Sequence, residues 1–338
     1  MDFLESLDLP FVWAMLIAAA VLLYVLLDGF DLGIGILFPL IREERHRDLA
    51  MNSVAPIWDG NETWLVLGGG GLFAVFPLAY ATLLPALYAP LLAMLLALVF
   101  RGVAFEFRWR TKRARWVWNV AFAGGSTIAA FSQGVALGAV LQGIDVVDRA
   151  YAGGWWDWLS PFSILTGAAV VVGYALLGAT WLMLKTEGPL HDFANRVAWV
   201  TGVGTLALIG VVSLWTPFLH PQYFDRWLSF PAILFSGVVP VLVAAMTVVL
   251  FRGLATKRDL SPFLAANGLF VLCYIGIAIS LYPNIVPPSI SYRAAAAPDD
   301  SLLFLLVGTS VLLPIILIYT AYAYWVFRGK LDPDEGYH

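Results

Sequence analysis

The chain has 338 residues, 61% of them hydrophobic and only 12% charged, with a mean hydropathy of +0.83. That composition excludes a soluble domain and predicts an integral membrane protein. A net charge of −4, with the basic residues spread over short loops, argues against nucleic acid as a partner, and a single cysteine, Cys273, excludes an internal disulfide or a cysteine-held cluster.

The apolar stretches are long and lack the strict alternation of a lipid-facing strand. They therefore predict helices, which satisfy backbone polar groups within each segment. After an acidic start (Asp2, Glu5, Asp8) the first run begins near Phe11, has no basic n-region and outlasts a signal-peptide core, so it reads as a retained span. At about 20 residues per crossing, nine spans are expected, near 11–38, 53–76, 80–107, 118–141, 161–184, 197–217, 229–251, 262–283 and 302–327. No fixed-period repeat and no flexible linker divides the chain, so residues 1–338 are expected to form a single transmembrane domain.

The basic residues choose an orientation. One set of loops and the tail hold Arg42, Arg45, Arg47, Arg108, Arg110, Lys112, Arg113, Arg115, Lys185, Arg196, Arg252, Lys257, Arg258, Arg328 and Lys330. The opposite loops hold only Arg149, Arg226 and Arg293. An excess of Lys and Arg marks cytoplasmic loops, so the N-terminus is expected outside, in the periplasm, and the C-terminus in the cytoplasm.

Within this apolar frame the first two spans carry Asp28, Asp31, Asp59 and Glu62, and the third carries Arg101. A charged side chain at the bilayer centre costs at least about 2.5–3.5 kcal/mol, so such residues are expected to mark a polar site or pathway. At 1.5 Å per residue all five fall in one layer of the cytoplasmic half. The i, i+3 spacing puts Asp28 and Asp31 on one face of their helix, and Asp59 and Glu62 on one face of theirs. Facing carboxylates in low dielectric cannot all stay charged, and Arg101 is the cation expected to hold one or two ionised. The layer reads as an inward-facing proton path or a polar ligand site. The competing reading is a structural ion pair joining the first three helices. Glu106, about 140° around the helix from Arg101, fits either a place on that path or simple solvation at the interface.

Gly68 to Gly71 lack the Lys-Ser/Thr of a phosphate loop and are expected to serve close helix packing. Prolines 85, 90, 240 and 314 are expected to kink helices. Trp155, Trp156 and Trp158 read as an interfacial aromatic belt. His46, His191, His220 and His338 fall outside the spans or at their edges, and Met15, Met94, Met183 and Met246 read as packing residues, so no redox metal is expected in this chain.

Leu27-Asp28-Gly29-Phe30-Asp31-Leu32-Gly33-Ile34-Gly35 closely resembles subunit II of the cytochrome bd-type quinol oxidases, the CydB family. The likeness continues through Asn52 to Leu65 (with Trp58-Asp59-Gly60-Asn61-Glu62), Phe73 to Tyr80 and Phe100 to Arg108, and more weakly through Tyr282 to Ser289 and Pro314 to Tyr324. The compact outer loops and the Gly-Asn-Glu-Thr-Trp variant look closer to the cyanide-insensitive branch. The resemblance implies an all-α subunit of two four-helix bundles plus one peripheral helix in the bacterial inner membrane. It binds no cofactor of its own and pairs with a subunit I that carries two haems b and one haem d. That partner would oxidise quinol and reduce oxygen to water with protons from the cytoplasm. The resemblance further implies a proton route through Asp28, Asp31 and Asp59, and a structural quinone near Trp58 and Asp59; Glu106 stands where some members have Asp. Lipid and a small third subunit complete the expected partners. Two other readings stand beside it: a proton-coupled secondary transporter, which should show paired interrupted helices, and a purely structural anchor for subunit I.

Overall fold

The structure is a computed structural model and describes residues 8–111 and 113–331. Asp2, Glu5, Lys112 and His338 lie outside the described residues. The chain forms α1 (Leu9–Leu37), α2 (Glu44–Asn52), α3 (Trp58–Val75), α4 (Pro77–Ala86), α5 (Tyr88–Arg110) and α6 (Arg115–Gln142). A two-residue hairpin, β1 (Val146–Val147) and β2 (Ala150–Tyr151), leads to α7 (Pro161–Lys185), α8 (Gly188–Trp215), α9 (Pro221–Leu228), α10 (Ala232–Ser236), α11 (Val238–Ala255) and α12 (Leu260–Leu281). A second hairpin, β3 (Asn284–Val286) and β4 (Ile290–Ser291), and the short α13 (Tyr292–Ala295) precede α14 (Asp299–Val326).

Among the described residues eight helices are long and apolar enough to cross a membrane, or nine if the bent pair α3 and α4 counts as one span. The chain is therefore an all-α membrane protein, as its composition requires. Helices α1, α3, α5 and α6 form one bundle and α7, α8, α11 and α12 a second, joined mainly where α7 packs against α1 and α6. Helix α14 packs mainly against α1 and α3, with Tyr324 also meeting Trp181 of α7, and stays peripheral.

The third expected span, 80–107, is not one helix. At Phe76 the backbone (φ −123°, ψ 61°) leaves the helix, Pro77 has no N–H with which to continue the ladder, and α4 departs at 119° to α3. Leu87 then ends α4, and α5 begins at Tyr88. Pro90 and Pro240 fall in the first turns of α5 and α11, where an N–H would be unpaired anyway, so neither interrupts a helix. Pro85 and Pro314 do lie inside helices. The glycine run divides by face: a Cβ on Gly68 or Gly71 would meet Val21 or Ile17 of α1 at 3.2 Å, whereas Gly69 and Gly70 face open space.

The two bundles meet through glycine. A Cβ on Gly33 would stand 1.9 Å from the Tyr174 carbonyl oxygen, and one on Gly178 would stand 2.4 Å from the Gly33 carbonyl carbon, so α1 and α7 cross backbone to backbone. Near the crossing Phe30 stacks on Trp181 with centroids 4.2 Å apart. Alanine at Gly33 must push the helices apart, and it should lower stability by about 3 kcal/mol, read as the unfolding midpoint in detergent.

At the opposite end Asp8 caps α1 by accepting from the Phe11 N–H at 3.3 Å and pairs with Arg293 at 2.7 Å. This contact holds the Asp8 carboxyl below its ordinary value of 3.8. A lowered folded value stabilises the fold above the unfolded value and is lost as pH falls through the folded one. The stability difference between the wild type and Arg293→Gln should therefore be full at neutral pH and shrink below about pH 4, in unfolding curves recorded between pH 7 and pH 3.

Candidate functional site

Arg101 projects from α5 into the first bundle and is fully buried. Gly125 of α6 makes room for it, since a Cβ there would stand 2.6 Å from the Ala97 carbonyl and 3.1 Å from the Arg101 nitrogen. Its Nη1 lies 2.9 Å from Asp28 Oδ1 and 2.5 Å from Glu62 Oε1, and its Nη2 lies 3.9 Å from Asp31 Oδ2. Asp28 and Asp31 are fully buried, while the Glu62 side chain is 23% exposed. Glu62 is thus the member of this group that reaches the surface. The stacked rings of Trp58 and Phe105, 4.7 Å apart, stand beside the guanidinium, with its carbon 5.9 and 5.8 Å from their centroids.

Neutral groups complete the cluster. Asn61 Nδ2 donates to Asp31 Oδ2 at 2.7 Å, and the Tyr324 hydroxyl of α14 donates to Asn61 Oδ1 at 2.9 Å, tying the peripheral helix to the site. Tyr24, one turn before Asp28 on α1, accepts from Gln133 Nε2 at 2.7 Å, and Tyr174 of α7 donates to Gln133 Oε1 at 2.8 Å. Asp28 Oδ2 and Asp31 Oδ1 accept no hydrogen bond from the described residues, while Asp28 Oδ1 meets the Arg101 guanidinium. Buried oxygens of this kind are costly unless water or a proton serves them.

Four of the expected residues therefore converge: Asp28, Asp31, Glu62 and Arg101. Asp59 does not. It lies on the exposed side of α3, and among the described residues its side chain has no hydrogen bond or ion pair. Trp58 and Asp59 are consecutive and hence about 100° apart on the helix, so Trp58 turns onto Phe105 while Asp59 turns away. Glu106 is also outside the cluster, two-thirds exposed with Arg110 at 3.8 Å.

Arg108 belongs to no loop. Helix α5 runs to Arg110, and seven residues after Arg101 the Arg108 guanidinium is buried on the same face. It pairs with Asp48 at 2.6 Å and Glu44 at 2.9 Å, and its Nε donates to Asn119 at 2.7 Å. Counting it among the loop cations overlooked a clamp joining α2, α5 and α6. Asn61 was legible as part of the Trp58–Glu62 motif, and Gln133 as an amide in an apolar span. Tyr24, Tyr174 and Tyr324 carried no such signal, because tyrosine is common at membrane interfaces for other reasons.

Among the described residues no group of three or more His, Cys, Asp or Glu side chains is placed to hold a metal ion. His191 lies 3.1 Å from Asp259, and His220 lies 2.8 Å from the Gln142 carbonyl.

A family model for cytochrome bd terminal oxidase subunit II matches residues 9–327. The chain belongs to that family. It is 30% identical to cytochrome bd-I ubiquinol oxidase subunit 2 of Escherichia coli K12, covering 97% of this chain and 96% of that one. Cytochrome bd ubiquinol oxidase subunit 2 of Bacillus subtilis is likewise 30% identical, over 96% of this chain and 97% of its own length. In backbone the chain resembles a chain of the solved bd oxidase from Geobacillus thermodenitrificans, with a TM-score of 0.76 at 16% identity over 96% of this chain and 100% of that one. This subunit II is a multi-pass protein of the bacterial inner membrane and a component of a respiratory terminal oxidase.

Removing the one cation of the cluster leaves its carboxylates uncompensated. Arg101→Gln should cost about 3–5 kcal/mol, read from thermal unfolding of the purified protein. Asn61→Ala, which removes the hydrogen bonds to Asp31, Tyr324 and the Leu27 carbonyl, should cost about 1–3 kcal/mol.

Proposed function

We propose that this chain is the haem-free second subunit of a bd-type quinol oxidase and that its first three membrane helices carry protons inward from the cytoplasm. In this reading residues 1–338 form one transmembrane domain, with the N-terminus in the periplasm and the C-terminus in the cytoplasm. A partner subunit I holds two haems b and one haem d, oxidises quinol and reduces oxygen to water. Helix α14 and the exposed side of α3 lie free for such a partner.

The observation that carries the proposal is the imbalance around Arg101. Three carboxylates surround one guanidinium that keeps its charge at every physiological pH. With every group ionised the cluster would hold two uncompensated negative charges in low dielectric, so it favours bound protons. Glu62 and Asp28 share the same nitrogen, Nη1, so either can be the ionised partner while Arg101 stays in place. A proton reaching Glu62 from the surface is thus passed to Asp28 by exchanging which carboxylate neutralises the arginine. Tyr24 accepts from Gln133, which leaves its own O–H free to donate on the face of α1 that carries Asp28. Asp28 Oδ2 and Asp31 Oδ1, which accept no hydrogen bond from the described residues, favour a hydrated path at this point.

Asp59, one turn before Glu62 on the exposed side of α3, stands at the mouth of this route. Trp58 and Asp59 would offer a quinone head group an aromatic plane and a carboxylate acceptor at the same edge. Glu106, near the inner end of α5, would serve as a solvated acid at the surface. A proton-coupled transporter needs paired interrupted helices, whereas this chain's one sharply bent pair, α3 and α4, has no counterpart among the described residues.

Asp28→Asn and Glu62→Gln should each slow oxygen reduction by about tenfold or more while the complex assembles with unchanged haem absorption, and Asp59→Asn should slow it less. Oxygen uptake and voltage generation in proteoliposomes measure this. Wild-type turnover and voltage in both of the first two variants would leave the cluster a brace and the chain a structural anchor.

A further inference from the structure

A groove of 640 Å³, which Arg101 does not line, opens between the first half of α1 and the second half of α12. Its floor is hollow because Ala18, Ala19 and Ala278 carry almost no side chain, while Met15, Leu22 and Tyr282 raise its walls. The Tyr274 hydroxyl donates to the Ala18 carbonyl at 2.8 Å and fixes α12 against α1. A volume of this size suits a small-molecule ligand, and a wall made almost wholly of methyl and methylene groups suits a hydrocarbon chain.

The groove is not apolar throughout. Arg226 lines it, projecting from α9, a short helix that lies between the membrane helices at the end where α12 stops. Its Nη1 donates to the carbonyls of Ile279 at 3.2 Å and Ser280 at 2.5 Å, the unpaired acceptors at the end of α12. Those bonds fix the guanidinium plane. Among the described residues Nε and Nη2 have no acceptor, and no carboxylate lies within ion-pair distance. Asp225 precedes Arg226 on α9 and accepts instead from the Ser229 hydroxyl at 3.2 Å. Trp227 beside it donates to Ser280 Oγ at 2.9 Å, so α9 is anchored to α12 at two successive residues.

We propose that this groove is a binding site for one phospholipid, with the phosphate on Nε and Nη2 of Arg226 and one acyl chain along Ala18, Ala19 and Ala278. An arginine fork held in plane matches two phosphate oxygens, and the donors left free are the pair that such a contact uses. Arg226 lines the same groove as these apolar residues, so a phosphate on its guanidinium and a hydrocarbon tail in the groove fit one molecule. The site rests on no feature of the proton route and stands or falls apart from it.

The test is native mass spectrometry of the complex that contains this chain, delipidated in detergent and titrated with dioleoyl phosphatidylglycerol. One tightly held lipid is expected on the wild type. Arg226→Gln, which removes the phosphate contact, and Ala19→Phe, which fills the groove from an exposed position of α1, should each weaken its retention roughly tenfold. Val200→Phe, on an exposed part of α8, should change nothing. Should Arg226→Gln fail to fold through loss of its contacts to α12, Ala19→Phe decides alone, with its unfolding midpoint as the control. Equal lipid retention in the wild type and Ala19→Phe would overturn the proposal, as would a quinone or only detergent in place of phospholipid.

Discussion

The Arg101 guanidinium is fully buried in a protein whose surroundings are hydrocarbon, and the first bundle is arranged around that one charge. A cation in such a place persists only with anions in contact, and α1 and α3 supply them. Three carboxylates exceed what one arginine neutralises, so attraction holds the cluster together around an excess of acidic groups. Gly125 is what lets the arginine reach this position, because any side chain there would hold α6 away from α5.

Arg108 offers a contrast on the same helix face. It too is fully buried, yet it meets two partly exposed acids and an amide oxygen near the end of its helix. Its charge is matched within reach of water, so it fastens α2 to α5 and α6 and needs no bound proton. Two arginines seven residues apart thus serve different ends, and depth decides which. The polar groups that extend the deeper cluster reach α14 through Tyr324 and the second bundle through Tyr174. Helices from both ends of the chain are thereby tied to a site whose charges come from the first third.

The spans were legible because twenty apolar residues with few charges have one stable arrangement in a bilayer. The third span misled because composition reads through Leu87, where α4 ends and α5 begins, and because the break after Phe76 hides a turn of 119° between α3 and α4. Apolar residues satisfy either course, and only packing against neighbours chooses between them. Asp28, Asp31, Glu62 and Arg101 were legible as ionisable groups where the membrane penalises charge. Asp59 was placed with them on the i, i+3 rule, but that rule gives a shared side of the helix and not a shared partner. Glu62 turns inward to Arg101, and Asp59 stays on the open side.

By itself the sequence determined the class of the protein, the number of crossings to within the one bent pair, and the residues too costly to bury idly. These follow from local quantities, hydropathy and charge, summed along the chain. Tertiary structure decided which carboxylates touch the arginine, that Asn61, Gln133 and three tyrosines join them, and that Arg108 is a buried clamp. Those outcomes depend on the rotation of each helix about its own axis and on glycine contacts such as Gly33 against Gly178, which bring together residues more than a hundred positions apart. No local pattern encodes a contact between two helix backbones.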